Sequence, residues 1–436
     1  MRSIWVKDTE AERPKFKRLE TDTRTRVLII GGGIAGLLCA HMLKEKGVEC
    51  ILVEKGRICQ GTTENTTAKI TLQNGLIYNK MIERFGKEKA SLYVSAQRDA
   101  LEKYAHLCRK IDCDYENKDA YLYSISNRKK LEEEMYACNE LGIDATLVQK
   151  TELPFSVDGA VRVEGQSQFN PLKFLFEIAK DLPIYENTRV VELKGNTAVT
   201  QDGVTINAEK IIIATHFPIL NKHGCYFLKM FQYRSYVLAL EGAEALNGMY
   251  IDEAEGGLSF RTYKNSLILG GGGHRTGKKG TCWHELEAFM EKNYKNVKIT
   301  GKWATQDCIT LDGIPYVGRY SKSTPNLYVI TGFNKWGISS SMAGAMHLSS
   351  LIAKGKSEYE PIFSPSRTIL RPQLALNVAE TTINLLTPTV PRCPHLGCAL
   401  KYNREEHSWD CPCHGSRFSD NGELLDGPAT DGKNKL

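Results

Sequence analysis

At 436 residues, with 42% hydrophobic and 25% charged side chains, the chain is long enough for two or three domains with substantial buried cores. Its net charge of +6 comes from 57 basic and 51 acidic residues scattered among one another, without the basic block that nucleic-acid binding requires. No run of about eighteen apolar residues offers a membrane span, and the polar start MRSIWVKDTEAERPKFKRLETDTRTR lacks the apolar stretch of a signal peptide, so a cytoplasmic location is expected.

Residues 26–56 read as strand, tight turn, helix and strand: RVLIIGG, GIAGLLCAHMLKEKG and VECILVEKG. The first apolar run is short and β-branched, Gly47 closes the helix, and the second strand ends at Glu54. A βαβ unit of this kind implies a parallel sheet. Gly31, Gly33 and Gly36 sit between strand and helix with the spacing G-x-G-x-x-G. The first glycine permits the sharp turn, the second lets backbone approach a pyrophosphate resting on the helix N-terminus, and the third lets helix and strand pack closely. Glu54 stands at the end of the second strand, where an acid suits the ribose hydroxyls of a nucleotide.

Residues 76–150 read mostly as helices of mixed charge. Strands return over 188–215, with a turn at Asp202-Gly203, and a β-rich stretch follows over 227–277. Between 303 and 355 come a strand, NLYVITGF, and a helix, GISSSMAGAMHLSSLIAKG. The Pro-rich stretch YEPIFSPSRTILRPQ then reads as a linker.

The last tenth of the chain holds CPHLGCALKYNREEHSWDCPCHGSRF, Cys393 to Phe418. Cys393-x-His395 is followed by Cys411-x-x-His414. Two thiolates and two imidazoles suit zinc, but zinc fingers usually pair Cys with Cys and then His with His. One Cys and one His on each of two short loops suits a two-iron cluster, with both thiolates on one iron and both imidazoles on the other. On residue types alone zinc stays open. The nine remaining cysteines are dispersed and read as buried thiols.

The larger part of the chain resembles the FAD-dependent oxidoreductases of the D-amino acid oxidase and glycine oxidase superfamily. After the turn at Gly31, Gly33, Ile34, Ala35 and Gly36 and the acid segment Glu54-Lys55, the stretch GTTENTTAKIT is similar to the family segment along the flavin. The resemblance assigns Thr62, Thr63, Thr67, Ala68 and Lys69 to the cofactor. Arg189-Val190-Val191 resembles the strand that meets adenine, with Val191 as the contact, and IIIATHFP resembles the strand end carrying Ala214 and Thr215, with His216 where the family has glycine. DGIPYVG and ITGFNKWGISSSMAG are similar to the closing motif, placing Gly332, Lys335, Trp336, Gly337 and Ile338 at the flavin; a helix N-terminus there would stabilise the negative charge of a reduced flavin. Lys335 would add a positive charge.

CPHLGC and CPCHGSRF resemble the two boxes of the Rieske [2Fe–2S] family, which implies Cys393, His395, Cys411 and His414 as ligands. Cys398 and Cys413 stand where many members of that family form a disulfide, and Gly427-Pro428-Ala429 resembles its third, proline-containing loop. His407 fits neither box and reads as a surface residue. Only LALNVAETTINLLTPTVPR separates the linker from Cys393, so the module is expected to be minimal and to lean on the flavin domains for its core.

These readings predict an α/β chain in which a Rossmann-like FAD-binding domain (24–75, 150–225 and 300–360) interleaves with an α+β substrate domain (76–149 and 226–299). An N-terminal extension (1–23) precedes them, and a linker (361–380) and a small all-β Rieske-type module (381–436) follow. The implied function is an FAD-dependent dehydrogenase that takes a hydride from a small organic substrate, an amine or amino acid. Its electrons pass singly through the cluster, whose imidazole ligation raises its potential to about −150 to +300 mV, to an external one-electron acceptor, protein or small molecule. Tyr233, Tyr236, Arg261, His274 and Arg275 fall in the substrate domain, and Arg261, His274 and Arg275 are the catalytic candidates, an arginine being suited to a substrate carboxylate. An oxidase that hands electrons to dioxygen beside a structural cluster, an electron-transfer partner with no small-molecule substrate, and a flavoprotein with a zinc module are the competing readings.

Overall fold

A computed structural model describes residues 2–220, 223–388, 391–430 and 432; residues 433–436 of the expected module lie outside the described residues. Its centre is the strand Thr23–Ile30, whose last four residues are all buried. It pairs in parallel with Cys50–Val53 on one side and Thr205–Ile213 on the other, with Val27 opposite both Cys50 and Lys210. A continuous apolar run such as VLII suits a strand covered on both faces. Ile184–Tyr185 and Leu327–Thr331 extend the parallel order outward, and Tyr316–Arg319 closes one edge antiparallel. The helix Ile34–Glu45 follows the glycine turn and lies beside the long helix Gly337–Lys354.

Four chain segments leave this sheet at the carboxyl ends of parallel strands. Gly31–Gly33 follow Ile30, Glu54 follows Val53, Ala214–Phe217 follow Ile213, and Gly332–Gly337 follow Thr331. That edge is where open α/β sheets bind their ligands.

The second sheet has nine strands, running in order from Lys298–Thr310 through Met230–Glu241, Ser266–Arg275, Ser259–Tyr263, Met249–Asp252, Glu116–Ser124 and Gly159–Gln168 to Lys69–Ile70, with Ala145–Val148 branching off. Lys69–Ile70, Gly159–Gln168 and Lys298–Thr310 lie in segments expected in the flavin domain, yet they hydrogen-bond here. The helices of 76–150 flank a nine-residue strand, Glu116–Ser124. Its outer half is polar and exposed, which hides it between charged helices in the sequence.

The N-terminal extension is part of the core. The helix Ile4–Thr9 buries Trp5, whose Nε1–H donates to Thr66 O at 2.7 Å. The linker is also anchored. Arg367 donates to both oxygens of Asp312, at 2.7 and 2.8 Å, and Pro372 opens a helix running to Leu386.

The C-terminal module is a four-stranded antiparallel sheet, Lys401–Asn403, Ser408–Asp410, Arg417–Ser419 and Leu424–Asp426. Its own core comprises four cysteines with Leu400, Phe418 and Ala429. So small a core needs support from outside, and the module receives it from the second sheet.

Candidate functional site

Gly31 has φ +115°, and a Cβ there would stand 2.5 Å from Ala214 O; a Cβ at Gly36 would stand 1.9 Å from Gly31 O. Both positions exclude any other residue. The turn so formed opens into a cavity of about 1040 Å³, at the upper end of the usual range for small-molecule sites of about 300–1,000 Å³. Glu54 Oε2 accepts from Gly32 N–H at 2.7 Å and its Oε1 from Gly56 N–H at 2.9 Å, which fixes the carboxylate at the cavity wall. Thr63 Oγ1 accepts from Ile34 N–H at 3.1 Å, so this threonine caps the first turn of the helix and holds its segment against it.

Most of the residues assigned to the flavin line this one cavity: Gly31, Gly33, Ile34 and Ala35 of the turn, Glu54 and Lys55, then Thr62, Thr63, Thr67 and Lys69. Ala214 and Thr215 join them, as do Lys335, Trp336, Gly337 and Ile338. Four stand off it. Gly36 packs on Gly31, and Gly332 turns the chain so that Phe333 reaches the wall instead. Ala68 is buried at φ +56° behind its neighbours. Val191 is 52% exposed: the pairing register of its strand shifts between Val190 and Glu192, and Arg189 and Val190 line the cavity in its place.

The catalytic candidates do not meet at the cavity wall. Arg261 is fully buried, with Nη1 donating to Thr67 O at 2.8 Å and Ala68 O at 2.6 Å, so it holds the backbone behind the flavin segment. Burial pushes its guanidinium down to about 9. His274 stacks on Tyr236 with ring centroids 5.6 Å apart. Arg275 reaches away from the cavity to Pro412 O at 3.1 Å and to Asn377 Oδ1 at 3.0 Å. Of the two tyrosines, Tyr236 lines the cavity, and Tyr233 lies under Lys335, whose Nζ is 3.8 Å from its ring centroid.

Among the ionisable groups that line the cavity beyond the glycine turn are Lys69, His216, Asp252, Glu255, Asp307 and Lys335. Burial, with Arg261 nearby, pushes Lys69 down to about 7. Burial also lowers Lys335 and raises Asp307, and the two oppose each other's shift. Asp307 carries no motif: it is one acid in a long strand, and only its pairing partner across the sheet, Tyr233, places it here.

In the module, two turns of the same build face each other. Gly397 N–H donates to Cys393 O and Gly415 N–H to Cys411 O, both at 2.9 Å; Cys393 N–H donates to Cys398 O and Cys411 N–H to Ser416 O, both at 2.8 Å. The turns bring the His395 and His414 rings to 5.0 Å between centroids. The sulfurs of Cys398, Cys411 and Cys413 lie within 4.8 Å of one another, and the thiols of Cys398 and Cys413 are free. Cys393 is buried beside them. Both ring nitrogens of His414 are buried without a hydrogen-bond partner, as a metal ligand's would be before metal binds. Burial takes His395 down to about 4 and His414 to about 3, which keeps both imidazoles neutral with lone pairs to donate. This donor set fits a [2Fe–2S] cluster held by two thiolates and two imidazoles. His407 is exposed, its ring 3.4 Å from Tyr402 Oη.

The two sites adjoin. Leu424 to Thr430, from the last strand and third loop of the module, form part of the cavity wall. Phe217 lines the cavity and packs edge-on against the His395 ring at 6.5 Å, and Phe227 packs likewise on His414 at 6.0 Å. Gln232 Nε2 donates to His414 O at 2.9 Å and Gly427 O at 2.8 Å; Gln306 Nε2 donates to Gly415 O at 2.9 Å and Gln232 Oε1 at 2.7 Å. Thr276 Oγ1 donates to Gln306 Oε1 at 2.9 Å. Beside them Glu406 accepts from Arg234, from Tyr236 Oη–H at 2.8 Å and from Arg417 Nη2 at 2.9 Å. Burial alone would raise Glu406, but Arg234 and Arg417 outweigh it and hold the carboxyl below its usual range.

Residues 26–351 match the family described as FAD dependent oxidoreductase, about three-quarters of the chain. The chain belongs to that family. Residues 374–435 match the Rieske [2Fe-2S] domain. Among curated proteins, the chain is 34% identical to the putative Rieske 2Fe-2S iron-sulfur protein YhfW of Bacillus subtilis (strain 168), over 97% of this chain and 95% of that one. Among solved structures it is similar to L-proline dehydrogenase from P. horikoshii, with TM-score 0.67 and 19% identity over 79% of this chain and 98% of that one. Glycine oxidase from Geobacillus kaustophilus gives TM-score 0.66 and 18% identity over 79% and 99%. The chain is thus an oxidoreductase whose cofactors are FAD and a [2Fe–2S] cluster. No described helix is long and apolar enough to cross a membrane.

Proposed function

We propose that the protein is a dehydrogenase that oxidises a small amine or amino acid at its α-carbon and delivers the electrons singly, through its own cluster, to an external one-electron acceptor. FAD accepts a hydride and a Rieske cluster accepts one electron, so the pair joins two-electron chemistry to one-electron chemistry. The observation that carries the reading is the shared wall: a cavity entered by the glycine turn is also lined by Leu424 to Thr430 of the module. Phe217 stands between that cavity and His395. Gly31, Gly33 and the N-terminus of the helix Ile34–Glu45 would hold the pyrophosphate, Glu54 the ribose, and the N-terminus of the helix Gly337–Lys354 the charged edge of the flavin. Cys393, His395, Cys411 and His414 would hold the cluster, while Gln232 and Gln306 fix the loops that carry its ligands.

Support for the substrate class comes from the neighbouring folds, L-proline dehydrogenase and glycine oxidase, and from a cavity wall that offers ionisable groups of both signs in Lys69, Lys335 and Asp307. The test is an anaerobic titration of the holoprotein with amines and amino acids, following flavin absorbance and the cluster's EPR signal together. Flavin bleaching accompanied by appearance of the reduced cluster is expected. Stoichiometric peroxide in air, with a cluster that never changes oxidation state, would refute the electron route.

A further inference from the structure

A hydride brings two electrons and one proton to a flavin. If the two electrons then leave one at a time through the cluster, that proton must also leave, and at a buried stretch of cavity wall a group is needed to take it. We propose that His216 is the proton acceptor that accompanies electron transfer from the flavin cavity to the cluster, an assignment that rests on the electron route above. His216 lines the cavity, and the next residue, Phe217, packs on the ligand His395. Its Nε2 is buried and has no hydrogen-bond partner, so one ring nitrogen is open to a proton. Its backbone is held at φ +67°, a region uncommon for residues other than glycine, with its carbonyl gripped by the Thr331 hydroxyl and the Cys308 thiol.

Two carboxylates face the ring, Asp307 from the second sheet and Asp426 from the module. Lys335 and Arg234 in turn face Asp307, and Arg234 and Arg417 lie 3.8 and 3.3 Å from Asp426. Burial outweighs the carboxylates and leaves the imidazole neutral, ready to accept, while the same carboxylates stabilise the imidazolium once it forms. Asp426, whose side chain is 34% exposed, offers the way out to solvent. Per substrate, two electrons pass through the cluster to the acceptor, and one proton passes from the flavin to His216 Nε2 and on to water.

The experiment uses holoprotein reduced with dithionite and mixed anaerobically with ferricyanide, comparing wild type with H216G and H216N, both of which tolerate the left-handed backbone. FAD content and cluster EPR are measured first and are expected to be unchanged. Wild-type flavin reoxidation should slow below the imidazole's pKa and show a solvent deuterium isotope effect. Both variants should be about 100-fold slower, with a flat pH profile. At equilibrium, the plot of flavin midpoint potential against pH should lose an inflection in both. Wild-type rates and pH profiles in H216G and H216N would overturn the assignment. A wild-type cluster that stays reduced while its flavin reoxidises would instead overturn the electron route, and this proposal with it.

Discussion

Glu406 joins the module to the second sheet, and removing its charge is the sharpest probe of docking. In Glu406→Gln, Arg234 and Arg417 would lose the negative charge they share while their own side chains stay only 4% and 6% exposed. Breaking a buried ion pair from one side costs about 3–5 kcal/mol. Arg417 keeps Asp410 at 3.0 Å and Asp426 at 3.3 Å, so the low end of that range, about 3 kcal/mol, is expected. With a urea dependence of about 1–3 kcal/mol/M, the module's own transition should move down by about 1–3 M. The assay is urea unfolding followed by cluster absorbance and, separately, by flavin absorbance. Cluster loss should precede flavin loss in the variant. Coincident transitions at the wild-type midpoint would refute the idea that this network docks the module.

Three further outcomes concern this network, the glycine turn and the N-terminal helix. Because Glu406 is held below its unfolded value of about 4.3, its contribution is fully present above that pH and is lost as pH falls through the lower, folded-state value. Proteolytic cutting between the flavin domains and the module should therefore be negligible from pH 9 to 5 and rise only in stronger acid; release near pH 6 would contradict it. Gly36→Ala places a Cβ 1.9 Å from Gly31 O and should yield protein without flavin but with an intact cluster signal, read from absorbance and EPR. Trp5→Ala removes a fully buried side chain and its bond to Thr66 O, and should cost about 3–5 kcal/mol by calorimetry; a change below about 1 kcal/mol would return residues 2–9 to the status of a loose extension.

Local signals account for what the sequence revealed. The glycine turn, the box cysteines and histidines, and the helix start at Gly337 each depend on a few neighbouring residues, and each lies in a local turn or at a helix start. Long-range pairing accounts for the rest. Arg261 looked like a carboxylate anchor, but its position facing Thr67 and Ala68 follows from sheet pairing between distant segments. Gln232, Gln306 and Arg234 carry no pattern at all. They matter because a strand register puts Gln232 opposite Cys308, and Arg234 opposite Gln306, on the face that meets the module. Val191 sits where the strand register shifts between Val190 and Glu192, an irregularity that no local pattern announces, and it is exposed while Val190 is buried. The Pro-rich stretch read as a linker, whereas Pro372 begins a helix and Arg367 ties the approach to Asp312.

These long-range contacts also bear on how electrons would leave. A cluster that carried charge by swinging from the cavity to a distant acceptor would have to release Gln232 from His414 O and Gly427 O, and Gln306 from Gly415 O, on every turnover. At about 1 kcal/mol for each hydrogen bond, and about 3 kcal/mol for the Glu406 network, the released state would hold fewer than about one molecule in ten thousand. The imidazole rings would also have to leave Phe217 and Phe227. On the proposed route the cluster is therefore a fixed relay, and the acceptor comes to it. This distinguishes the fixed arrangement by experiment: electron transfer from flavin to cluster should not depend on solvent viscosity, whereas a swinging module would slow as viscosity rises.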